Sequence, residues 1–397
     1  MLRAIDTKPF IKNGQRFIAL RDPLRLTDNT ILIPQSLAPI LALCDGTRDA
    51  GGISASLAVR YGLSIPVAEI EQLLNGLDEM LLLDNKRFAE AREHARIEYL
   101  QEPFRQPALA GLSYPEDTVE LRKLMQGYVD AVECGPLLKE GRGLVSPHID
   151  YDRGWQVYAQ TWGRAAEIVR GADLAIVFGT DHFGEGNQLT LTRQNYATPF
   201  GVLPTAREVV DDLVKIVGEE AAFAGELYHR SEHSIELAVT WLHFIREGNP
   251  CELVPIICNT FGGFFRDEAE PENDQTIDQL IQTIKSVTAE RPAIVVAAGD
   301  LSHVGPAFGG HPLDLLGRGR LQAADEELME RMCAGDAHGF YQAINQTENT
   351  NNVCGAVPIY LTMRLLSPVQ GEQVAYNRCP ADEHGTSFVS ICGVVFT

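Results

Sequence analysis

The sequence predicts an α/β fold, in which a layered mixed sheet is flanked by helices and a small helical domain precedes it. Three observations predict it. Four short apolar runs, GLVSP (143–147), LAIVFGT (174–180), LVPIIC (253–258) and AIVVAAG (293–299), alternate with stretches of helical spacing near 155–170, 206–220, 233–247 and 274–289. Continuously apolar, β-branched strands between helices imply a sheet covered on both faces. Near the C-terminal side, QVAYNRC (373–379) and SFVSICGVVF (387–396) read as a closing antiparallel pair. The 397 residues are 45% hydrophobic and 22% charged, enough to bury a core in more than one domain. That composition excludes a chain that is mainly disordered, collagenous or coiled coil.

Residues 1–19 read as an N-terminal extension. Residues 20–95 read as the small domain. NTILIP (29–34) is a short strand signal, and SLAPILALC (36–44) is an apolar helix stopped by Asp45-Gly46. Residues 53–61 form a second helix. A third spans 67–80, with Ile70, Leu73, Leu74 and Leu77 at helical spacing. Leu81–Leu83 reads as a strand entering a turn. Three helices with such a wing give a winged-helix-like domain. Its 7 Lys+Arg against 11 Asp+Glu are the wrong balance for reading DNA. Residues 96–103 are expected to link it to the main domain, 104–397.

The whole chain carries a formal charge of −21, which opposes nucleic acid or an anionic membrane as a partner. No apolar run is long enough to span a bilayer. The first residues contain no signal-peptide core. The eight cysteines include no CxxC pair and read as free thiols of a reducing compartment, so a cytoplasmic protein is expected.

Three of the four buried runs end on similar residues. GLVSP is followed by His148, LAIVFGT by Asp181-His182, and AIVVAAG by Asp300 and then His303. Ligands of open α/β sheets bind beyond the carboxyl ends of the strands, so these side chains can meet in one crevice. Cys354 stands where an Asn-rich loop enters an apolar helix, and a helix N-terminus favours the thiolate. His233 and Glu236 form an i,i+3 pair on the first turn of another helix, able to serve a site or merely to cap the helix. His303, three residues after Asp300, suits general acid–base work because imidazole titrates near neutrality. The alternative is that it only orients a ligand. No GxGxxG, P-loop, GxSxG or HExxH motif is present.

Two resemblances sharpen this reading. ILALCDGTRDAGGISASLAVRYG (40–62) with VAEIEQLLNGLDEMLLL (67–83) is similar to PqqD-like domains, which implies peptide binding along a strand edge beside a partner enzyme. The segments PALAGLSYPEDTVELRKLMQGYV (107–129), SPHIDYDRG (146–154), FGTDHFG (178–184), YATPFGVLP (196–204), EHSIEL (232–237), VPIICNTFG (254–262), AAGDLSHVG (297–305) and NNVCGAVPI (351–359) together resemble the Memo-like family, also called AmmeMemoRadiSam system protein B. That resemblance implies a fold similar to class III extradiol dioxygenases. It implies one divalent metal ion, iron first and copper or zinc next, held by His148, His182 and Cys354. Asp300 and His303 would be the catalytic pair. Tyr151, Asp181, His233 and Glu236 are expected to bind substrate or support the ligands. A radical SAM protein and a peptide or small molecule are the implied partners. The chain departs from the family where Pro-His-Ile-Asp-Tyr and Gly-Thr-Asp-His replace Pro-His-Ala-Gly-Tyr and Gly-Pro-Ser/Asn-His. Asp150, Asp152 and Asp181 thereby add negative charge near two ligands. The function expected is metal-dependent redox or dioxygenase-like catalysis. The alternative is a non-catalytic metal- or peptide-binding adaptor.

Overall fold

The computed structural model describes the chain except Ala4, Asp28, residues 184–187 and residues 266–270. Gly184, the last residue of FGTDHFG, therefore lies outside the described residues. The chain forms two compact units, Met1–Glu102 and Pro103–Thr397.

In the first unit, β1 (Asp6–Lys12) and β2 (Gln15–Arg21) form a hairpin, and β3 (Ile31–Pro34) pairs with β2. The hairpin turns at Asn13-Gly14, both with positive φ, as a two-residue turn between twisted strands requires. Residues 6–19 are therefore sheet and not an extension. Helices α1 (Ala38–Leu43), α2 (Ala50–Tyr61), α3 (Val67–Glu79) and α4 (Lys86–Gln101) follow. Asp49 caps α2 by accepting from the Gly52 amide at 2.7 Å, and Gly62 ends the helix in the left-handed region. Ile40, Leu43, Ile53, Leu57 and Ile70 pack between the helices. Leu20, Ile33, Leu77 and Leu82 pack between sheet and helices. Leu83 makes a single bridge to Leu2 where a wing was expected. The expected linker begins inside α4, whose N-cap Asn85 accepts from the Phe88 amide at 3.1 Å.

The second unit opens with α5 (Thr118–Asp130), β4 (Gly143–Ser146), α6 (Tyr151–Arg164), α7 (Ala166–Gly171) and β5 (Leu174–Thr180). Short strands β6 (Leu189–Leu191), β7 (Tyr196–Thr198) and β8 (Gly201–Leu203) lead to α8 (Arg207–Val217), α9 (Glu219–Phe223) and α10 (His233–Ile245). Then come β9 (Glu252–Cys258), α11 (Phe261–Phe264), α12 (Gln275–Glu290), β10 (Ala293–Ala298) and β11 (His303–Val304). Helices α13 (Leu315–Ala334), α14 (Ala337–Asn345) and α15 (Ala356–Leu366) precede β12 (Gly371–Pro380) and β13 (Phe388–Phe396).

Among the described residues these strands make an eight-stranded mixed sheet in the order β11-β13-β4-β10-β5-β9-β6, with β12 also on β13. The central strands β4, β10, β5 and β9 are parallel, and β13 and β6 flank them antiparallel. All seven residues of β5 are buried, as a strand covered by helices on both faces must be. Helix α10 packs on β5, α6 on β12 and β13, and α15 on β10 and β5. Every residue of α10 from Ser234 to Ile245 is buried, so this helix is enclosed on all sides, with Glu236 and His243 among its buried side chains. Among the described residues no helix is long and apolar enough to cross a membrane.

Candidate metal centre

Parallel neighbours β4, β10 and β5 share register, with Ser146 opposite Ala298 and Phe178 opposite Ala297. Their carboxyl ends therefore open at one edge. His148 leaves β4 there, Asp181-His182 leaves β5, and Asp300 leaves β10. Helix α10 begins at the same place. The Ser234 hydroxyl accepts from the Thr180 amide at 3.0 Å, tying the helix start to the end of β5.

Three imidazoles meet at this edge. The ring centroids of His148 and His182 are 4.9 Å apart, those of His148 and His233 5.4 Å, and those of His182 and His233 4.4 Å. Two of the rings are held at Nδ1 by hydrogen bonds, and the third has a carboxylate beside it. His148 Nδ1 lies 3.0 Å from the Ala298 carbonyl oxygen, so it carries the proton and donates. His182 Nδ1 lies 3.0 Å from both carboxylate oxygens of Glu232, and His233 Nδ1 lies 3.3 Å from one of them. Fixing Nδ1–H on an oxygen leaves Nε2 as the free lone pair, which is how proteins orient a histidine toward a metal. Glu232, 1% exposed, also accepts from the amides of His233 and Ser234 at 2.8 Å each. Burial opposes its charge, but His182 and His233 beside it hold its carboxyl well below the usual range. Burial pushes His148 and His233 down to about 3. Burial pulls His182 the same way, yet the Glu232 carboxylate outweighs it and raises the ring.

A thiol and a second carboxylate lie on the other side of His148. Cys354 Sγ is 3.1 Å from His148 Nε2, and Asp300 Oδ2 is 3.8 Å from the same nitrogen. Asp300 accepts from the His148 amide at 2.8 Å, which binds the ends of β10 and β4 together. Burial pushes the Cys354 thiol well above its ordinary value, and the Asp300 charge adds to this. The helix dipole expected to favour the thiolate is overridden, because Cys354 sits two residues before α15 in a half-buried position beside the Asp300 carboxylate. Gly299 and Gly355 bring the two loops into backbone contact. A Cβ on Gly299 would stand 2.4 Å from Gly355 Cα. Gly299→Ala should therefore push the Cys354 loop off Asp300, lower thermal stability and raise the rate of Cys354 alkylation by a thiol reagent in the native protein. Wild-type alkylation kinetics would refute the close packing.

Among the described residues, two trios offer ligand atoms within 4.8 Å of one another: His148, His182 and His233, and His148, Asp300 and Cys354. The positions implied as ligands are thus divided. His182 belongs with His233, Cys354 belongs with Asp300, and His148 is common to both. Imidazoles with engaged Nδ1 atoms, a thiol and a carboxylate fit a borderline transition ion better than Mg2+ or Ca2+.

The remaining candidates fall around this cluster. His303 pairs with Val389 in β11, and its Nδ1 lies 3.2 Å from the carbonyls of Leu301 and Asn352. Burial lowers it, although Asp300 opposes that. Asp181 is buried and accepts from the Phe183 amide at 2.8 Å. Tyr151 is buried, donating to the Leu237 carbonyl at 2.9 Å and stacking on Tyr114. Glu236 faces away from the rings: it pairs with buried Arg105 and accepts from Ala108 N, Leu109 N and the Tyr114 hydroxyl at 2.7, 2.8 and 2.6 Å. Two residues that shape the cluster were missed from the sequence. Glu232 is one, and its signal was an acid at the N-cap position directly before His233. The other is Asp325, fully buried in α13, which accepts from the Ser302 and Tyr376 hydroxyls at 2.7 and 2.9 Å and steadies the loop carrying Asp300 and His303.

A mixed α/β sheet with a His/Asp/Cys cluster at its strand ends is thus the class that fold and site define. The family model described as Memo-like protein matches residues 105–394, and the chain belongs to that family. A MEMO1 family protein of Aquifex aeolicus is 25% identical over 403 residues, covering 100% of this chain and 99% of its own. One of Thermus thermophilus is 26% identical over 324 residues, 80% of this chain and 90% of its own. One of Methanosarcina acetivorans is 26% identical over 255 residues, 64% of this chain and 83% of its own. The Aquifex alignment takes in the first unit as well as the second.

Proposed function

We propose that the chain is a mononuclear, non-haem metal-dependent redox enzyme of dioxygenase-like type, acting in the cytoplasm on a small or peptidyl substrate. One observation carries the reading: three imidazoles, two of them held at Nδ1 by hydrogen bonds, cluster beside a thiol and a carboxylate at the strand ends. His148 and His182 hold the ion, with a third donor from the cluster, for which the family resemblance implies Cys354. Iron is the preferred ion, by fold-level analogy with the extradiol dioxygenases, and copper or zinc would suit the donors too. When bound, the ion supplies Lewis acidity and redox capacity. His303, with Nδ1 occupied by two carbonyls, takes a substrate proton at Nε2, and its lowered pKa keeps it neutral for that task. Asp300 fixes the backbone of His148 beside it.

Elemental analysis of protein purified without oxygen, followed by dioxygen uptake with Fe(II), ascorbate and a panel of catechols, tests this. One iron per chain and substrate-dependent uptake are expected, with His303→Ala abolishing uptake at unchanged iron content. Metal-free protein would contradict the reading, and iron loss in His303→Ala would make His303 a supporter of coordination.

A second reading, an adaptor beside a radical SAM partner, is favoured by the first unit. Its edge strand β1 exposes Phe10 and Ile11, a surface that suits strand addition by a peptide of the kind PqqD-like domains bind. Metal content without uptake on any catechol, together with peptide binding lost in Ile11→Lys, would favour it.

A further inference from the structure

We propose that Asn352 is the positioning residue of His303: its left-handed backbone turns a carbonyl onto Nδ1 and so fixes the ring with the lone pair on Nε2. The inference rests on the reading that His303 handles a substrate proton. The Asn-rich run ahead of Cys354 brackets His303 at three points. The His303 amide donates to the Asn351 carbonyl at 2.7 Å. Its Nδ1 lies 3.2 Å from the Asn352 carbonyl oxygen, and Asn352 Nδ2 donates to the His303 carbonyl at 3.5 Å. The Leu301 carbonyl oxygen is also 3.2 Å from Nδ1, and the Phe308 ring stands at 88° to the imidazole, with centroids 5.1 Å apart. Two carbonyl oxygens at one nitrogen can only accept, so Nδ1 carries the proton and Nε2 is left to receive one.

Asn352 is exposed, so core packing does not select its side chain. Its φ is 49°, and Glu348 and Asn349 share that left-handed region at 50° and 49°. Asparagine enters this region more readily than other residues with a Cβ, whereas a β-branched residue there is a true outlier. Asn349 closes the turn: its Oδ1 accepts from the Val353 amide at 2.8 Å, and its Nδ2 donates to the Val353 carbonyl at 3.5 Å. The Val353 side chain, 3% exposed, anchors the end of the turn in the core. Strained backbone of this kind persists only where its surroundings fix it, and it gathers at functional sites. Here the same turn that holds His303 runs on into Cys354, and the next residue, Gly355, donates its amide to the Asp300 carbonyl at 2.9 Å.

The test is NMR of the full-length reduced chain, isotopically labelled at its imidazole nitrogens and kept metal-free with a chelator, at neutral pH. His303→Gln identifies the His303 resonances. Wild-type His303 is expected as a single tautomer protonated at Nδ1. Asn352→Gly, which enters the left-handed region freely, should keep that tautomer. Asn352→Val should lose it in at least part of the population, in favour of the Nε2–H form that free histidine prefers. Wild-type His303 protonated at Nε2 would overturn the inference. So would a valine variant with the wild-type tautomer, or a glycine variant that loses it. The wild-type spectrum and the glycine variant decide by themselves, so a valine variant that fails to fold does not blunt the test. Neither metal nor substrate is present, so failure here would leave the metal-dependent reading standing.

Discussion

Glu236→Ala should destabilise the second unit by about 3–5 kcal/mol, the usual cost of removing one partner of a buried ion pair. Both side chains of the Arg105–Glu236 pair are fully buried. The substitution leaves the guanidinium without its counter-charge and strips four donors of an acceptor: Arg105 Nη1, two amides and the Tyr114 hydroxyl. Arg105 also donates to the carbonyls of His229 and Glu232 at 2.8 Å, so the damage reaches the start of α10. Urea unfolding is the measurement. Glu236→Gln, which keeps the shape and loses the charge, should fall between wild type and alanine. A loss below about 1 kcal/mol for the alanine variant would mean that the pair contributes no more than an exposed one.

Acid should unfold the metal-free protein well before its carboxylates titrate in bulk. His148 and His229 are buried, and burial holds both at about 3. In the unfolded chain each takes up a proton near pH 6.5. Between those values the unfolded state binds protons that the folded state refuses, so stability falls as pH falls. The two together should remove about 3 kcal/mol per pH unit below 6.5. His233 shifts the same way, but its partly exposed ring is screened and adds less. His182 acts in the opposite sense: its raised value contributes stability that is complete below 6.5 and is lost as pH rises through its folded pKa. Burial likewise raises Asp300, so that its cost is felt above the ordinary carboxylate range and vanishes in acid. Glu232 is lowered, and its contribution is present above the ordinary range and lost as pH falls through its folded pKa. Unfolding free energies at pH 6.5, 5.5 and 4.5 in the presence of a chelator give the slope. A flat profile across that interval would show that the rings are protonated in the folded state.

Much of the second unit was legible in the amino-acid pattern. The runs at 143–147, 174–180, 253–258 and 293–299 are β4, β5, β9 and β10 to within a residue or so, because fully buried parallel strands leave an uninterrupted apolar signature. The strand-end rule then put His148, His182 and Asp300 at one edge. What stayed hidden follows from local geometry that periodicity does not encode. Glu232 has extended backbone, with φ −68° and ψ 130°, so it escapes helical spacing and its side chain folds back over the first turn. Helical spacing favoured Glu236 as the partner of His233, yet the i+3 position faces Arg105 and the segment after it. The Cys354 thiol depends on tertiary burial, which a dipole argument from sequence omits. In the first unit, Asn13-Gly14 was a readable hairpin signal, but the strands on either side of it carry too many charged and polar residues to stand out as core.

The loop that bears Asp300 and His303 is fastened by residues far downstream. The Leu301 amide donates to the Ser390 carbonyl, the Ser390 amide to the Ser302 carbonyl, and the Ser302 amide to the Ser390 hydroxyl across 88 positions. His148 and Cys354 are 206 positions apart. During synthesis, an emerging chain that has completed β4, β5 and β10 therefore exposes histidines without the strand that steadies their neighbours. Assembly of the centre waits for β13 to insert beside β4. Contacts of such long range close late and slowly. A nascent chain of this protein thus cannot bring these side chains together, and the cluster belongs to the finished fold.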